Sequence, residues 1–356
     1  MATLNFNAVN TWQGRDADLQ RFLNTTRRNF IAYAVAQNLG RLSPVAKVLL
    51  DRADSRPFQP AWIIQPVVPD ATNYNGPQYL TNDQFTINST DPTVINAQFE
   101  ASLMAQTIRV GMTELVSNQS PNAVIDQVLL KTSQATLKTM LELSERLATD
   151  DGNATVNQKF QGMRDVVDAG FFCGNFGQID RATNTWWNSY VFDATALGAG
   201  TVPEFRVVQR AIVEYLEVTG GSFGMPNIAF CPFGTFQKIA ESFQALEQYI
   251  VGDISSISQV REYETKGIII NGIPIFPEPN LTTYTNANNQ TVGDIYFLNL
   301  ENIQFTFAEP FSFYMSEWKD EFINGRLSWM SVMLVGGNIW SDRPRAHFML
   351  KGVPSV

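Results

Sequence analysis

The one stretch whose residue types and spacing match a catalytic pattern is Gly220-Gly221-Ser222-Phe223-Gly224. It is the G-x-S-x-G arrangement that seats a nucleophilic serine on a tight turn in serine hydrolases. That turn must follow a strand and precede a helix, and a histidine must take the serine proton. Here Glu204 to Leu216 has helical periodicity and Met225-Pro226 follows, so the stretch reads as a glycine-rich helix stop. The single histidine, His347, sits close to Arg345 and Phe348 in a terminal strand and reads as a surface or packing residue. Asp150-Asp151-Gly152-Asn153 lacks the glycine and glutamate positions of a calcium loop and reads as a helix exit turn. Cys173 and Cys231 have no C-x-x-C spacing and no Cys/His cluster, so they read as small buried apolar residues and build neither a zinc site nor a disulfide scaffold. Asp180-Arg181 reads as a local ion pair orienting a loop. Trp186-Trp187 offers a ligand platform or packing, and reads as packing, the two rings pointing to opposite sides of an extended chain. No phosphate-cradling glycine loop is present. The expectation is a protein that is not an enzyme and holds no metal or cofactor, with a hydrolase using Ser222 as a remote alternative.

The chain has 356 residues, 44% hydrophobic and 17% charged, enough apolar material for a sizeable core and too much for a disordered chain. Its net charge of −9 argues against a dedicated nucleic-acid binder, which would carry a basic stripe. The charge is unevenly spread. Residues 1–57 carry eight Lys/Arg against four Asp, a net +4, which leaves −13 for the rest. Residues 58–105 contain no Lys, Arg or His, against Asp70, Asp83, Asp91 and Glu100. The first residues show no basic segment followed by an apolar block, and no run approaches the ~18 apolar residues that span a bilayer. The expectation is cytoplasmic synthesis with no membrane partner.

The longest element runs from Ser120 to Leu147 as one uninterrupted helix, with Ser120 as cap and Pro121 at the first helical position. Ile125, Leu129, Thr132, Thr136, Met140, Leu143 and Leu147 step by threes and fours along one face, and Leu130, Leu137 and Leu141 form a second patch roughly 120° away. A helix roughly 40 Å long with such a stripe is a beam lying across something flat. The alternating strand at 106–115 and the long apolar strand at 325–340 are its expected support, paired with each other. The second patch is left for a neighbouring subunit or the segment 160–170 to cover. Ahead of the beam, residues 16–53 read as two helices divided at Ser43-Pro44, either an arm that packs on a partner or an ordinary surface helix of the same chain. Five prolines between 57 and 77 exclude helix there; a strand from Trp62, the turn Tyr74-Asn75-Gly76-Pro77 and a return at Phe85 read as a long hairpin, marginal on its own. After the beam, 160–170 reads as a short helix stopped by Gly170. Residues 203–309 read as an α/β unit with helices from Glu204 and Phe233, strands at 227–231 and 294–299, and a hairpin on Asn271-Gly272.

This order of elements resembles the major capsid proteins of tailed bacteriophages, the Hong Kong 97-like fold. FQGMRDVVDAG (160–170) followed by GQIDRATNTWW (177–187) is similar to a segment common after the spine helix in one branch of that family. Asp294 to Asn299 resembles the strand closing the family's A-domain, and Trp318 is similar to a tryptophan that often follows. The resemblance implies an α+β protein with an N-terminal arm (1–57), an E-loop hairpin (58–105), a P-domain (106–200) carrying the spine helix 121–148, an A-domain with a central sheet and flanking helices (201–309), and return strands of the P-domain (310–356). It implies a structural protein that assembles with itself into hexamers and pentamers and then an icosahedral shell. That shell encloses double-stranded DNA by confinement, in a virion, after synthesis in a bacterial host cytoplasm. Separate scaffolding, portal and decoration proteins are further expected partners, and an encapsulin-type compartment shell is the alternative. With no lysine between Lys47 and Lys131, the E-loop cross-link of some members is not expected, and nothing ahead of the arm is long enough for a cleaved scaffolding segment. The expected inter-subunit contacts join the basic arm (Arg21, Arg27, Arg28) to a neighbour's acidic hairpin (Asp70, Asp83, Asp91), whose tip carries Tyr74 and Asn75.

Overall fold

The computed structural model describes residues 43–58, 63–67, 95–111, 121–149, 160–170, 173–221, 224–244, 267–321 and 328–355. It opens on helix α1 (Pro44–Asp51), started as the sequence predicts: Ser43 is extended, its hydroxyl accepts from the Ala46 amide at 3.2 Å, and Pro44 takes the first helical position. Val45, Val48 and Leu49 are buried in the main core of the same chain. Over these residues the expected partner-bound arm is therefore corrected to an intramolecular helix. Strand β1 (Asp54–Pro57) then joins a sheet, parallel to residues 306–309.

Strands β2 (Ile63–Val67) and β3 (Ile95–Phe99) pair antiparallel, from Ile63↔Phe99 to Val67↔Ile95. Ile63, Val67, Ala97 and Phe99 turn inward while Ile64 is half exposed, the alternation expected of a ribbon with one covered face. The predicted return strand at Phe85 lies outside the described residues, as does the tip. Strand β4 (Ser102–Gly111) leads to helix α2 (Pro121–Ala148), 28 residues without a break.

The support under α2 is the predicted one. β4 pairs antiparallel with β16 (Ser328–Ser341) over ten residues, from Ser102↔Gly337 to Gly111↔Ser328. Ile108, Val110, Trp329 and Met333 pack with Val128 and Ala135 of α2 in one cluster. Met140, Leu143 and Leu147, further along the same helix, pack in the main core with α1. The helix thus bridges two cores. Thr136 and Thr139 are buried on it without cost, each hydroxyl donating at 2.8 Å to the carbonyl four residues back. The second patch is not covered by the described residues: Leu130 and Leu141 are 58% and 50% exposed.

After α2 come a one-turn helix α3 (Met163–Val166), a two-residue hairpin β5 (Asn175–Phe176) and β6 (Ile179–Asp180), a 3-10 turn at Thr185–Trp187, and β7 (Tyr190–Asp193). Next are α4 (Glu204–Thr219), β8 (Ile228–Cys231), α5 (Phe233–Gln244), the hairpin β9 (Ile268–Ile270) and β10 (Ile273–Pro277), β11 (Tyr284–Thr285) and β12 (Thr291–Leu298). Asn271 and Gly272 both have positive φ, 50° and 83°, the type I′ geometry their dipeptide predicts. The chain ends with β13 (Ile303–Glu309), β14 (Tyr314–Met315), β15 (Lys319–Asp320), β16 and β17 (Phe348–Pro354).

Besides the two-stranded pairs β2-β3 and β5-β6, the described residues form two larger sheets, which interleave along the chain. The first runs β1-β13-β16, with β4 on one side of β16 and β14 and β15 on the other. The second runs β7-β17-β12-β8-β10-β9. Strand β13, inside 201–309, lies in the first sheet, while β7 and β17, outside that range, lie in the second. One face of the second sheet (Ala229, Ile275, Ile295, Phe297, Leu350) is covered by α4 and α5. Its other face (Phe230, Phe276, Tyr296, Met349) shares the main core with Phe305, Val335 and Ile339 of the first sheet.

Candidate functional site

The residues singled out for chemistry turn out to be fold-builders. Gly220 is left-handed (φ 57°) and ends α4, and β8 follows; the order helix, glycines, strand is the reverse of a nucleophile elbow. Ser222 itself lies outside the described residues, as do Asp150 to Asn153. His347 is fully buried. Its Nδ1 accepts from the Asn299 amide at 3.1 Å, which puts the ring proton on Nε2, 3.3 Å from the Ser341 hydroxyl. A histidine with that tautomer has no acceptor left for a serine proton, and burial pulls its pKa down to about 3. The pair is packing. Cys173 and Cys231 are buried thiols, and burial pushes the Cys231 thiol up.

Asp180 and Arg181 do not pair with each other. Asp180 is exposed and shapes its own turn, accepting from the Ala182 amide and the Thr183 hydroxyl. Arg181 points the other way and is completely buried. Its guanidinium donates to the carbonyls of Asp165 (2.7 Å), Val166 (3.0 Å) and Cys173 (3.4 Å), lies 3.6 Å from the Asp168 carboxylate, and stacks 5.0 Å from the Phe176 ring. Burial lowers its pKa, with the neighbouring acids opposing. The Asp168 carboxylate accepts from the amides of Ala169 (2.8 Å) and Cys173 (2.7 Å).

This contact explains why the predicted helix 160–170 is a single turn. The carbonyls of Asp165 and Val166 accept from Arg181 instead of from the amides four residues on, so the helix stops at Val166. The tryptophan pair is also corrected. Trp186 and Trp187 sit on a 3-10 turn, not an extended chain, with rings 5.5 Å apart edge to face. Trp187 is buried and donates to the Phe176 carbonyl at 2.8 Å. Phe176 in turn meets Phe99 of the hairpin at 5.0 Å, and the Gln98 amide donates to the Gly177 carbonyl. The GQIDRATNTWW segment is therefore the anchor of the hairpin's root.

Apolar side chains that face outward include Leu130 and Leu141 on α2, Ile64 on β2, Leu103 on β4, Val213 and Val218 on α4, and Phe233 on α5. Leu130 and Leu141 lie eleven residues apart and so share one face of α2. The residues expected to make subunit contacts, Arg21, Arg27, Arg28, Asp70, Tyr74, Asn75, Asp83 and Asp91, all lie outside the described residues.

No protein-family model and no curated protein matches the sequence. Solved structures do match. A chain of the capsid asymmetric unit of cyanophage A-1(L) superposes with a TM-score of 0.59 at 13% identity, over 87% of this chain and 92% of that one. This chain has the Hong Kong 97-like capsid fold. A second neighbour, from the holo-encapsulin complex of Synechococcus elongatus PCC 7942, has a TM-score of 0.53 at 9% identity over 86% of this chain and 88% of that one. At such identities the likeness is one of fold. The Hong Kong 97-like fold accounts for α2 lying across β4 and β16, and for a second sheet built largely between the two halves of the first.

Proposed function

We propose that this chain is a shell-forming coat protein, the major capsid protein of a tailed bacteriophage. The observation that carries the reading is the superposition on a phage capsid chain along 87% of the sequence. The outward leucines of α2 support it, since this 28-residue helix leaves Leu130 and Leu141 exposed within the subunit. In this reading the subunits form hexamers and pentamers that close into an icosahedral shell. Residues 1–42 and the hairpin reach neighbouring subunits, with the basic arm against the acidic hairpin. The first sheet with α2 forms the P-domain and the second sheet with α4 and α5 the A-domain. The packaged double-stranded DNA is confined rather than gripped, as suits a coat of net charge −9. The protein works in the virion after synthesis in the host cytoplasm, without catalysis, alongside separate scaffolding, portal and decoration proteins.

A second reading, an encapsulin-type compartment, rests on the Synechococcus likeness. The contents of the particles separate the two. Particles purified from cells expressing the chain with its flanking genes are treated with nuclease, then opened and assayed. Protected double-stranded DNA of uniform length supports the coat; a protein cargo without DNA supports the compartment.

A further inference from the structure

Where residues 43–58 enter the body of the molecule, two parts of the chain close on one carboxylate and a third joins them through Ser144. Glu278 follows β10 and is completely buried. Its Oε2 accepts from the Val45 amide in the first turn of α1 at 3.1 Å, its Oε1 accepts from the Asn280 amide at 3.1 Å, and the Ser43 hydroxyl bonds to it as well. The Ser43 amide donates to the Ser144 hydroxyl of α2 at 3.1 Å, and the Asn280 side-chain amide donates to the same oxygen at 3.4 Å. The root of the N-terminal segment, the long helix and the second sheet thus share one polar junction with Glu278 at its centre. The ionisable groups on the elements around it are Lys47 and Asp51 on α1, Glu142, Glu145 and Arg146 on α2, and Cys231 at the end of β8; none forms an ion pair with Glu278 among the described residues.

We propose that Glu278 is a proton-gated clasp that holds the root of the N-terminal segment against the long helix and the second sheet. Amide donors and a helix N-terminus favour the ionised acid, while burial disfavours it. Burial prevails, and the carboxyl is pushed up from its ordinary 4.5 to about 7. The closed junction therefore binds a proton that an opened, hydrated carboxylate releases. Closure is firmest below pH 4.5 and weakens as pH rises from there to about 7, by about tenfold per pH unit, and is level above. One proton then sets how firmly the segment leading back to residues 1–42 is held.

The clasp does not rest on the shell reading, and it is tested on the unassembled full-length chain. Amide exchange of peptides covering 44–57, corrected for intrinsic rates, is followed from pH 5 to pH 8 in wild type, Glu278→Gln and Ser144→Ala. In wild type, protection falls by about one to two orders of magnitude between pH 5 and 7 and then levels, while peptides of α4 do not change. Glu278→Gln removes the fall. Ser144→Ala lowers protection at every pH but keeps the fall, because the titrating group is intact. A flat wild-type profile, or the same fall in Glu278→Gln, overturns the proposal. Should Glu278→Gln not fold, the infrared band of a protonated carboxylic acid in wild type decides. Its loss between pH 6 and 8 supports the clasp, and its absence at pH 6 overturns it.

Discussion

Replacing Arg181 by methionine keeps the unbranched stem of the buried side chain out to the position of Nε and deletes the charged head. Three backbone carbonyls and one carboxylate lose a donor, but not equally. The Val166 carbonyl keeps the Ser189 hydroxyl at 2.9 Å, and Asp168 keeps the amides of Ala169 and Cys173. The Asp165 carbonyl loses its 2.7 Å bond. The guanidinium Nε has no acceptor among the described residues, so nothing is lost there. Breaking a buried pair from one side costs about 3–5 kcal/mol, much of it the stranded charge. Arg181→Met is therefore expected to lower unfolding stability by about 3–5 kcal/mol, or roughly 4–7 °C in Tm for a chain this large. Adding Asp168→Asn removes the stranded charge and should return about 1–3 kcal/mol. Urea and thermal unfolding of the full chain by circular dichroism measure the global loss. If Arg181→Met unfolds within 1 kcal/mol of wild type, or if the double variant is no more stable than the single one, the buried arginine is not what holds this segment.

Gly162→Ala should cost about 2–3 kcal/mol by urea unfolding, because a Cβ there would stand 2.7 Å from the Arg146 carbonyl and 2.8 Å from that of Thr149, backbone atoms at the end of α2 that cannot swing away. His347 stays neutral when folded but protonates when unfolded below its ordinary 6.5, so its contribution to stability should fall by up to about 1.4 kcal/mol per pH unit from pH 6.5 to 5, opposite in sign to that of Glu278. His347→Asn, whose Oδ1 can replace Nδ1 as acceptor for the Asn299 amide, should remove that contribution, and equal slopes in the two proteins would contradict the assigned burial. Leu130→Glu and Leu141→Glu should change monomer stability by no more than about 0.5 kcal/mol, as exposed sites do, while sharply reducing particle yield in gel filtration.

The parts of this fold readable in advance were those governed by local rules. Ser43-Pro44 starts α1, Asn271-Gly272 turns the β9–β10 hairpin, and three-four spacing makes α2 with one buried stripe. The pairing of β4 with β16, more than 200 residues apart, was also legible, because two long apolar strands in one chain have few other ways to bury themselves. Arg181 was not legible. An arginine beside an aspartate suggests a local pair, whereas its true acceptors are backbone carbonyls 8 to 16 residues earlier, which carry no side-chain signature. The same holds for Glu278, whose partners lie 233 residues away on α1 and two residues on along its own loop. The shortened α3 and the coiled tryptophan pair follow from Arg181 and could not be foreseen without it. The membership of β7, β13 and β17 in their sheets depends on which strands meet in space, and hydrophobic runs of similar length do not distinguish the two sheets.

The central claim is that this subunit builds a closed wall. Electron microscopy of the full-length chain, expressed with its flanking genes and purified as particles, tests it most directly. The account predicts closed icosahedral shells of uniform size, with the Leu130 and Leu141 face of α2 covered by a neighbouring subunit in the reconstructed map. A chain that stays monomeric under every condition, or shells in which that face remains bare, would contradict it.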